Sequence, residues 1–287
     1  MRLLSFTTDG KRRLGLQTDE GIRDLTHALG VTDVGEFLAL GASADADGEL
    51  LDPSTVTPRA PIARPGKIIC VGLNYHDHCR EQSLEPPRYP MLFSKFTNAV
   101  SDPGTSVTRP VATDKLDLEC ELAVVIGRRA ARIGPEQALD AVFGYTVLND
   151  VTMRDLHAED RQWLRAKGSD GFAPMGPAVV SADELGGPGT LRVRSWVNGE
   201  PWQDSSTAEM VFDVATIVSF VSRTITLEPG DVIATGTPAG VGHYQSPPRY
   251  LRGGDVMRCE IEGIGAIENS VVDAEPRLDD HAVAAGL

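Results

Sequence analysis

Cysteine is scarce in this 287-residue sequence: Cys70, Cys79, Cys120 and Cys259 are widely scattered and no two stand in a C-x-x-C spacing. That argues against a disulfide framework and a thiolate zinc site, and leaves four reduced thiols packed as small hydrophobes. Positive charge is also in deficit. Lys and Arg number 27 against 41 Asp and Glu, a formal net charge of -14, which repels phosphate backbones and anionic membrane surfaces, so nucleic acid is not an expected partner. No apolar run approaches the roughly 20 residues that span a bilayer. Residues 1–10 lack the basic-then-apolar pattern of a secretion signal, and a cytoplasmic protein with no membrane partner is expected. Internal repeats, low-complexity tracts and heptads are missing too. What remains is 41% hydrophobic and 24% charged, the composition of a folded globular chain rather than a disordered one.

The chain is long enough to bury a large core. Residues 1–52 predict a small amino-terminal subdomain, with short strands at 3–6 and 13–17 and a brief helix at Val34–Leu40. Pro53, Pro58, Pro61 and Pro65 remove backbone donors and hold 53–66 extended, as in a linker. From Lys67, short apolar runs at 68–71, 122–126, 145–148, 232–234 and 257–261 and an alternating run at 193–197 are separated by Gly- and Pro-rich turns, a mostly β pattern. Helices are expected at 135–142 and 208–221. The fold class read from this is α+β and β-rich, with one mixed domain over 67–274 and a carboxy-terminal tail at 275–287.

The stretch L-D-L-E-C-E-L-A-V-V-I-G (116–127) places two carboxylates in an apolar strand. By strand alternation Leu118, Cys120, Leu122, Val124 and Ile126 share one apolar face, and Asp117, Glu119, Glu121, Ala123 and Val125 the other. One reading is a half-solvated strand with an acidic face. The other is a cation site, because same-side carboxylates repel unless protonated or bridged, and Ala123 and Val125 make the rest of that face apolar. Carboxylates are hard oxygen ligands suited to Mg²⁺, Mn²⁺ or Ca²⁺, which usually take a third oxygen. Asp150, ending F-G-Y-T-V-L-N-D, is the candidate; its competing role is the N-cap of a following helix.

His78 and Glu81 stand three apart in G-L-N-Y-H-D-H-C-R-E-Q. On a helix they share a face, and a carboxylate so placed orients a histidine base. A polar surface turn and a zinc site from His76, His78 and Cys79 are the alternatives, the last without a fourth ligand. Two Gly-rich loops, R-A-K-G-S-D-G-F-A-P-M-G-P with Lys167 and A-T-G-T-P-A-G-V-G with Thr235 and Thr237, suit either an anionic, oxygen-rich substrate or plain turn chemistry. Neither has the order of a nucleotide-phosphate loop.

Together these segments resemble the fumarylacetoacetate hydrolase family over about residues 67–272. The resemblance is carried by 72–81, L-F-S-K (92–95), L-E-C-E-L-A-V-V-I-G (118–127), G-Y-T-V-L-N-D-V-T-M-R-D (144–155), A-K-G-S-D-G-F-A-P-M-G-P (166–177), V-N-G-E (197–200) and P-G-D-V-I-A-T-G-T-P-A-G-V-G (229–242). It implies a mixed β-sandwich roll, usually dimeric, with Glu119, Glu121 and Asp150 as Mg²⁺ or Mn²⁺ ligands. It further implies that His78 and Glu81 are a base dyad on a lid, and that Tyr75, Gln162, Lys167 and Thr237 contact a small 2-oxo acid. The expected reaction is hydrolysis of a carbon–carbon bond in an acylpyruvate-type 1,3-dicarbonyl acid through a pyruvate enolate, with Lys167 assisting. Oxaloacetate decarboxylation and isomerisation or tautomerisation of 2-oxo diacids are the alternatives on the same site. A non-catalytic metal-binding scaffold is the alternative of another class.

Overall fold

The computed structural model describes residues 1–159 and 161–275. Ten strands form the main path of a twelve-stranded sheet, in the order Leu50–Leu51, Gly21–Asp24, Lys11–Thr18, Arg2–Thr8, Ala173–Ser181, Val142–Asn149, Cys120–Ile126, Val232–Ala234, Ile68–Gly72 and Met91–Lys95. Thr57–Arg59 and Val100–Ser101 pair beside it. A second sheet of five strands runs Glu200–Ser206, Arg192–Val197, Val256–Ile261, Gly265–Asp273 and Val107–Arg109.

The alternation read from 118–126 decides how the layers stack. Leu118, Cys120, Leu122, Val124 and Ile126 pack with Val193, Val197, Met257, Cys259 and Ile261 of the second sheet. Ala123 and Val125 face the other way, into a cluster with Leu3, Leu14, Val34 and Phe37. The result is the β-rich, mixed sandwich that the sequence predicts. Because both faces of this strand are covered, the backbone around Glu119 and Glu121 sits at the centre of the fold, where burying each large apolar side chain contributes about 1.5–3 kcal/mol.

The amino-terminal segment shares this core. Arg2 and Leu3 pair with Val180 and Val179, and the Val34–Leu40 helix, found at the predicted bounds, starts where the Asp33 carboxylate accepts from Glu36 N at 2.9 Å. The stretch 53–66, read as a linker, also supplies the Thr57–Arg59 strand, paired with Ser5–Thr7. Of the expected tail at 275–287, all but Glu275 lies outside the described residues.

Three expectations are corrected. Leu116–Asp117 pairs with Thr152–Met153 apart from Cys120–Ile126, so 116–127 is not one strand. The helix expected at 135–142 ends earlier: Pro135–Ala138 is α-helical, Leu139–Ala141 is a 3₁₀ turn, and Val142 begins the strand paired with Ile126. The helix expected from 208 begins at Val214, because Asp213 caps it by accepting from Thr216 N at 2.8 Å. Upstream, Met210 bridges to Tyr75 and Phe212 N donates to Asn74 Oδ1, which takes those residues out of helical geometry.

A core shared by residues 1–52 and the rest predicts one calorimetric unfolding transition. Leu3→Ala, at a side chain with 0% exposure, should lower that single transition by about 2–5 kcal/mol; a separate, earlier transition that alone responds to the substitution contradicts it.

Candidate metal centre

Strand register assembles the acidic site. Cys120 lies opposite Asn149 and Glu121 opposite Leu148, and Asp150 N donates to the Glu119 carbonyl at 2.9 Å. Chain positions thirty residues apart thereby meet: Glu119, Glu121 and Asp150 each offer a carboxylate oxygen, all within 4.8 Å of one another, at exposures of 5, 2 and 0%. Asp150 is therefore not the N-cap of the next helix, which is Arg154–Glu159.

Three cations hold these acids in place. Lys167 Nζ bridges Glu119 Oε2 (2.8 Å) and Asp150 Oδ2 (2.7 Å). Lys95 Nζ lies 2.6 Å from Asp150 Oδ1, off the hydrogen-bonding direction and thus an ionic contact. Arg154 Nη2 lies 2.7 Å from Glu119 Oε1, also off-line, and its Nε donates to Asp117 Oδ2 at 2.9 Å. Asp117 thus serves Arg154 rather than continuing the acidic row, because the chain breaks its strand between 117 and 120. Burial disfavours the Glu119 charge, but Lys167 and Arg154 outweigh it and hold its pKa well below the usual carboxylate range. Among the described residues, Glu121 has no ion-pair partner of its own. Burial, then the charges of Asp150 and Glu119, push its pKa well above 4.5, opposed by Lys167 and by the Gly236 N–H that donates to Oε2 at 2.8 Å. Among the described residues here, once Glu121 is ionised, four buried carboxylates face three buried cations, a negative excess in a low-dielectric wall. A hard, all-oxygen donor set with unbalanced negative charge fits Mg²⁺, Mn²⁺ or Ca²⁺.

The His78–Glu81 contact expected from their spacing is present. His78 and Glu81 lie on the helix His76–Glu81, with His78 Nδ1 2.5 Å from Glu81 Oε1 and the imidazole 6% exposed. Among the described residues the acidic triad is the cluster whose ligand atoms are close enough to hold a metal, and His76, His78 and Cys79 form no second one. The loop after Val232–Ala234 braces the whole site through backbone amides: Gly236 to Glu121, Gly240 to Glu81 Oε2 (2.9 Å), Gly242 and His243 to Asp117 (2.9 and 3.0 Å). Gly240 has φ +103, and a Cβ there would stand 2.2 Å from the Trp202 carbonyl, so no other residue fits without moving the strand.

His78, Glu119, Glu121, Lys167 and Thr237 line one cavity of about 440 Å³. Thr237 Oγ1 is fixed by donating to the Cys120 carbonyl and accepting from Gln203 Nε2 at 2.7 Å. Two expected substrate contacts are not brought to this cavity: Tyr75 is wholly buried, its backbone bridged to Met210, and Gln162 is an exposed residue just before the Trp163–Lys167 helix. Arg154, His157, Trp163, Phe93 and Tyr244 line it instead. His157 packs on Trp163 at 4.6 Å between ring centroids; burial, then Lys167 and Arg154, press its pKa down to about 4. A charged or aromatic residue beside a recognised motif, as Arg154 is in V-T-M-R-D, was the available signal for these residues.

Comparison with known proteins fixes the family. Residues 67–272 match the family model described as fumarylacetoacetate (FAA) hydrolase C-terminal. The chain belongs to the fumarylacetoacetate hydrolase family. It is 40% identical over 290 residues to a Xenopus laevis protein named oxaloacetate tautomerase, mitochondrial, covering 95% of this chain and 90% of that one. A Bos taurus mitochondrial oxaloacetate tautomerase is 45% identical over 225 residues, covering 78% and 72%. Among solved structures, the fumarylacetoacetate hydrolase of Exiguobacterium antarcticum aligns with a TM-score of 0.88 at 42% identity, covering 96% of this chain and all of that one. The 2-hydroxyhepta-2,4-diene-1,7-dioate isomerase of Mycobacterium marinum aligns at 0.78 and 32% over the same shares. Among the described residues, no helix is long and apolar enough to cross a membrane.

With its pKa raised in the fold, Glu121 keeps its proton to higher pH in the native state than in the unfolded chain. In the metal-free protein it therefore costs stability as pH rises above about 4.5. Glu121→Gln removes that cost: near pH 7 the metal-free variant should melt at or above the parent temperature, yet lose Mg²⁺ and Mn²⁺ binding by titration calorimetry. A variant that melts lower and binds as before contradicts the assignment.

Proposed function

We propose that this enzyme moves a proton on the carbon beside the 2-keto group of a small 2-oxo acid bearing a second carbonyl or carboxylate, and that keto–enol tautomerisation of an oxaloacetate-class diacid is its reaction. The observation that carries this is the His78–Glu81 pair, with His78 lining the same cavity as Glu119, Glu121 and Lys167. Tautomerisation asks for a proton shuttle and a polarised keto group, and no further reactant. When held by Glu119, Glu121 and Asp150, Mg²⁺ or Mn²⁺ supplies Lewis-acid polarisation of that keto oxygen. Glu81, anchored by Gly240 N–H, accepts from His78 Nδ1–H and fixes the tautomer in which Nε2 is the base. His78 takes the proton from carbon and returns it to the enol oxygen or to carbon. Arg154 and Lys167 present positive charge to the substrate's carboxylates, and Thr237 offers a fixed hydroxyl. The names of the vertebrate relatives support this order, which reverses the sequence-based ranking that put hydrolysis first.

Hydrolysis is the second reading, favoured by the cavity's outer wall of Leu73, Leu84, Pro87, Met91 and Phe93, which suits an apolar acyl group. There His78 deprotonates water, hydroxide adds to the distal carbonyl, and the carbon–carbon bond breaks with its electron pair passing to pyruvate enolate, which is then protonated at carbon. Cytoplasmic residence belongs to the proposal and is supported by four buried, unpaired thiols; the vertebrate relatives are mitochondrial by name. A homodimer is likewise proposed.

A panel of oxaloacetate, acylpyruvates and unsaturated 2-oxo diacids, followed by enol absorbance with Mg²⁺ present, tests it. Faster keto–enol equilibration of oxaloacetate without carbon dioxide release supports tautomerisation; carboxylic acid plus pyruvate from an acylpyruvate supports hydrolysis. His78→Ala should cost about 10²–10⁴-fold in either rate while cation binding persists. An unchanged rate removes the dyad from the mechanism.

A further inference from the structure

Each carboxylate of the triad has one oxygen already engaged by its own fixed partner. Asp150 Oδ1 faces Lys95 at 2.6 Å, Glu119 Oε1 faces Arg154 at 2.7 Å, and Glu121 Oε2 accepts from Gly236 N at 2.8 Å. The oxygens left are Glu119 Oε2 and Asp150 Oδ2, both bridged by Lys167 Nζ, and Glu121 Oε1. Lys95 is the most firmly placed of these partners. Its side chain is 0% exposed, and its ammonium also donates to the carbonyls of Val151 (3.3 Å), Phe172 (2.8 Å) and Lys167. Four contacts to oxygen from one ammonium hold it in place, and it lies outside the cavity lining.

We propose that Lys95 sets the cation preference of the site by confining Asp150 to one ligating oxygen. A cation reaching for Oδ1 would approach a buried ammonium, and like charges that close in a low-dielectric wall exclude each other. Confined to single oxygens, the triad offers three protein ligands and leaves the other positions to water or substrate, which suits the six-coordinate demand of Mg²⁺ and Mn²⁺. Ca²⁺ takes 6–8 oxygens and gains from two-oxygen carboxylates, which this arrangement denies it. Lys95 is thus a positioning residue acting through Asp150, and the same carbonyl contacts hold the backbone of Lys167. The inference rests on the reading of the triad as the cation site.

The test is competition for bound Mn²⁺, read from the electron paramagnetic resonance of free Mn²⁺, with Mg²⁺ and Ca²⁺ as competitors in the parent and in Lys95→Met. The parent should yield Mn²⁺ to Mg²⁺ at least as readily as to Ca²⁺. In Lys95→Met the ratio of Ca²⁺ to Mg²⁺ affinity should rise about tenfold or more. Equal weakening of both cations with an unchanged ratio marks a merely structural lysine and overturns the inference while leaving the metal site standing. Should the variant not fold, the parent decides: tighter binding of Ca²⁺ than of Mg²⁺ overturns the inference. A parent that binds no Mn²⁺ overturns the metal site and the inference together.

Discussion

Mutual repulsion among three buried carboxylates is the constraint around which this molecule is built. Glu119, Glu121 and Asp150 lie within reach of one ion in a wall that admits almost no water. Such a cluster persists only if positive charge and fixed dipoles are arranged around it. Lys95, Lys167 and Arg154 supply the charge, and the loop after Val232–Ala234 supplies amides to Glu121, Glu81 and Asp117. The compensation is incomplete at Glu121. An ionised Glu121 would leave a residual negative charge that suits a divalent ion, and Glu119 and Glu121 line the cavity that His78 also lines.

The rest of the fold serves that placement. Cys120–Ile126 is covered on both faces, so its carbonyls and side chains are held by two apolar clusters at once. Its pairing with Val142–Asn149 determines that Asp150, and not a neighbour, comes beside Glu119. A one-residue slip in that register would turn Glu121 into the packed layer and Leu122 toward the cavity. The Asn74 side chain, bonded to Thr235 O, Phe212 O and Phe212 N, ties the turn before the His76–Glu81 helix to the amide-bearing loop. His78 and the acids therefore belong to one hydrogen-bonded frame.

Much of this was legible from the residues. Period-two alternation separated the two faces of 118–126 correctly, since a strand buried on both sides must put apolar groups on both and has no other place for charge. The spacing of His78 and Glu81 foretold their contact, because a helix brings residues three apart onto one face. What stayed hidden depends on tertiary geometry. Lys95 ends an apolar strand and gives no periodic signal, yet its ammonium is what meets Asp150. Asp117 looked like a third member of the acidic row until the break after it turned the carboxylate to Arg154. Tyr75 precedes the His76–Glu81 helix, but its bridge to Met210 places the ring in the interior, where the resemblance alone implied a substrate contact. Helix starts were lost wherever a cap, as at Asp213, outweighed apolar spacing.

The account turns on whether the acidic wall holds a divalent ion. Crystals grown with Mn²⁺ and measured at a wavelength where manganese scatters anomalously would locate it directly. The expected result is one strong anomalous peak about 2.1 Å from single oxygens of Glu119, Glu121 and Asp150, with Lys167 Nζ withdrawn from between them. No peak at the triad, with the three carboxylates still bridged by Lys167, would contradict it.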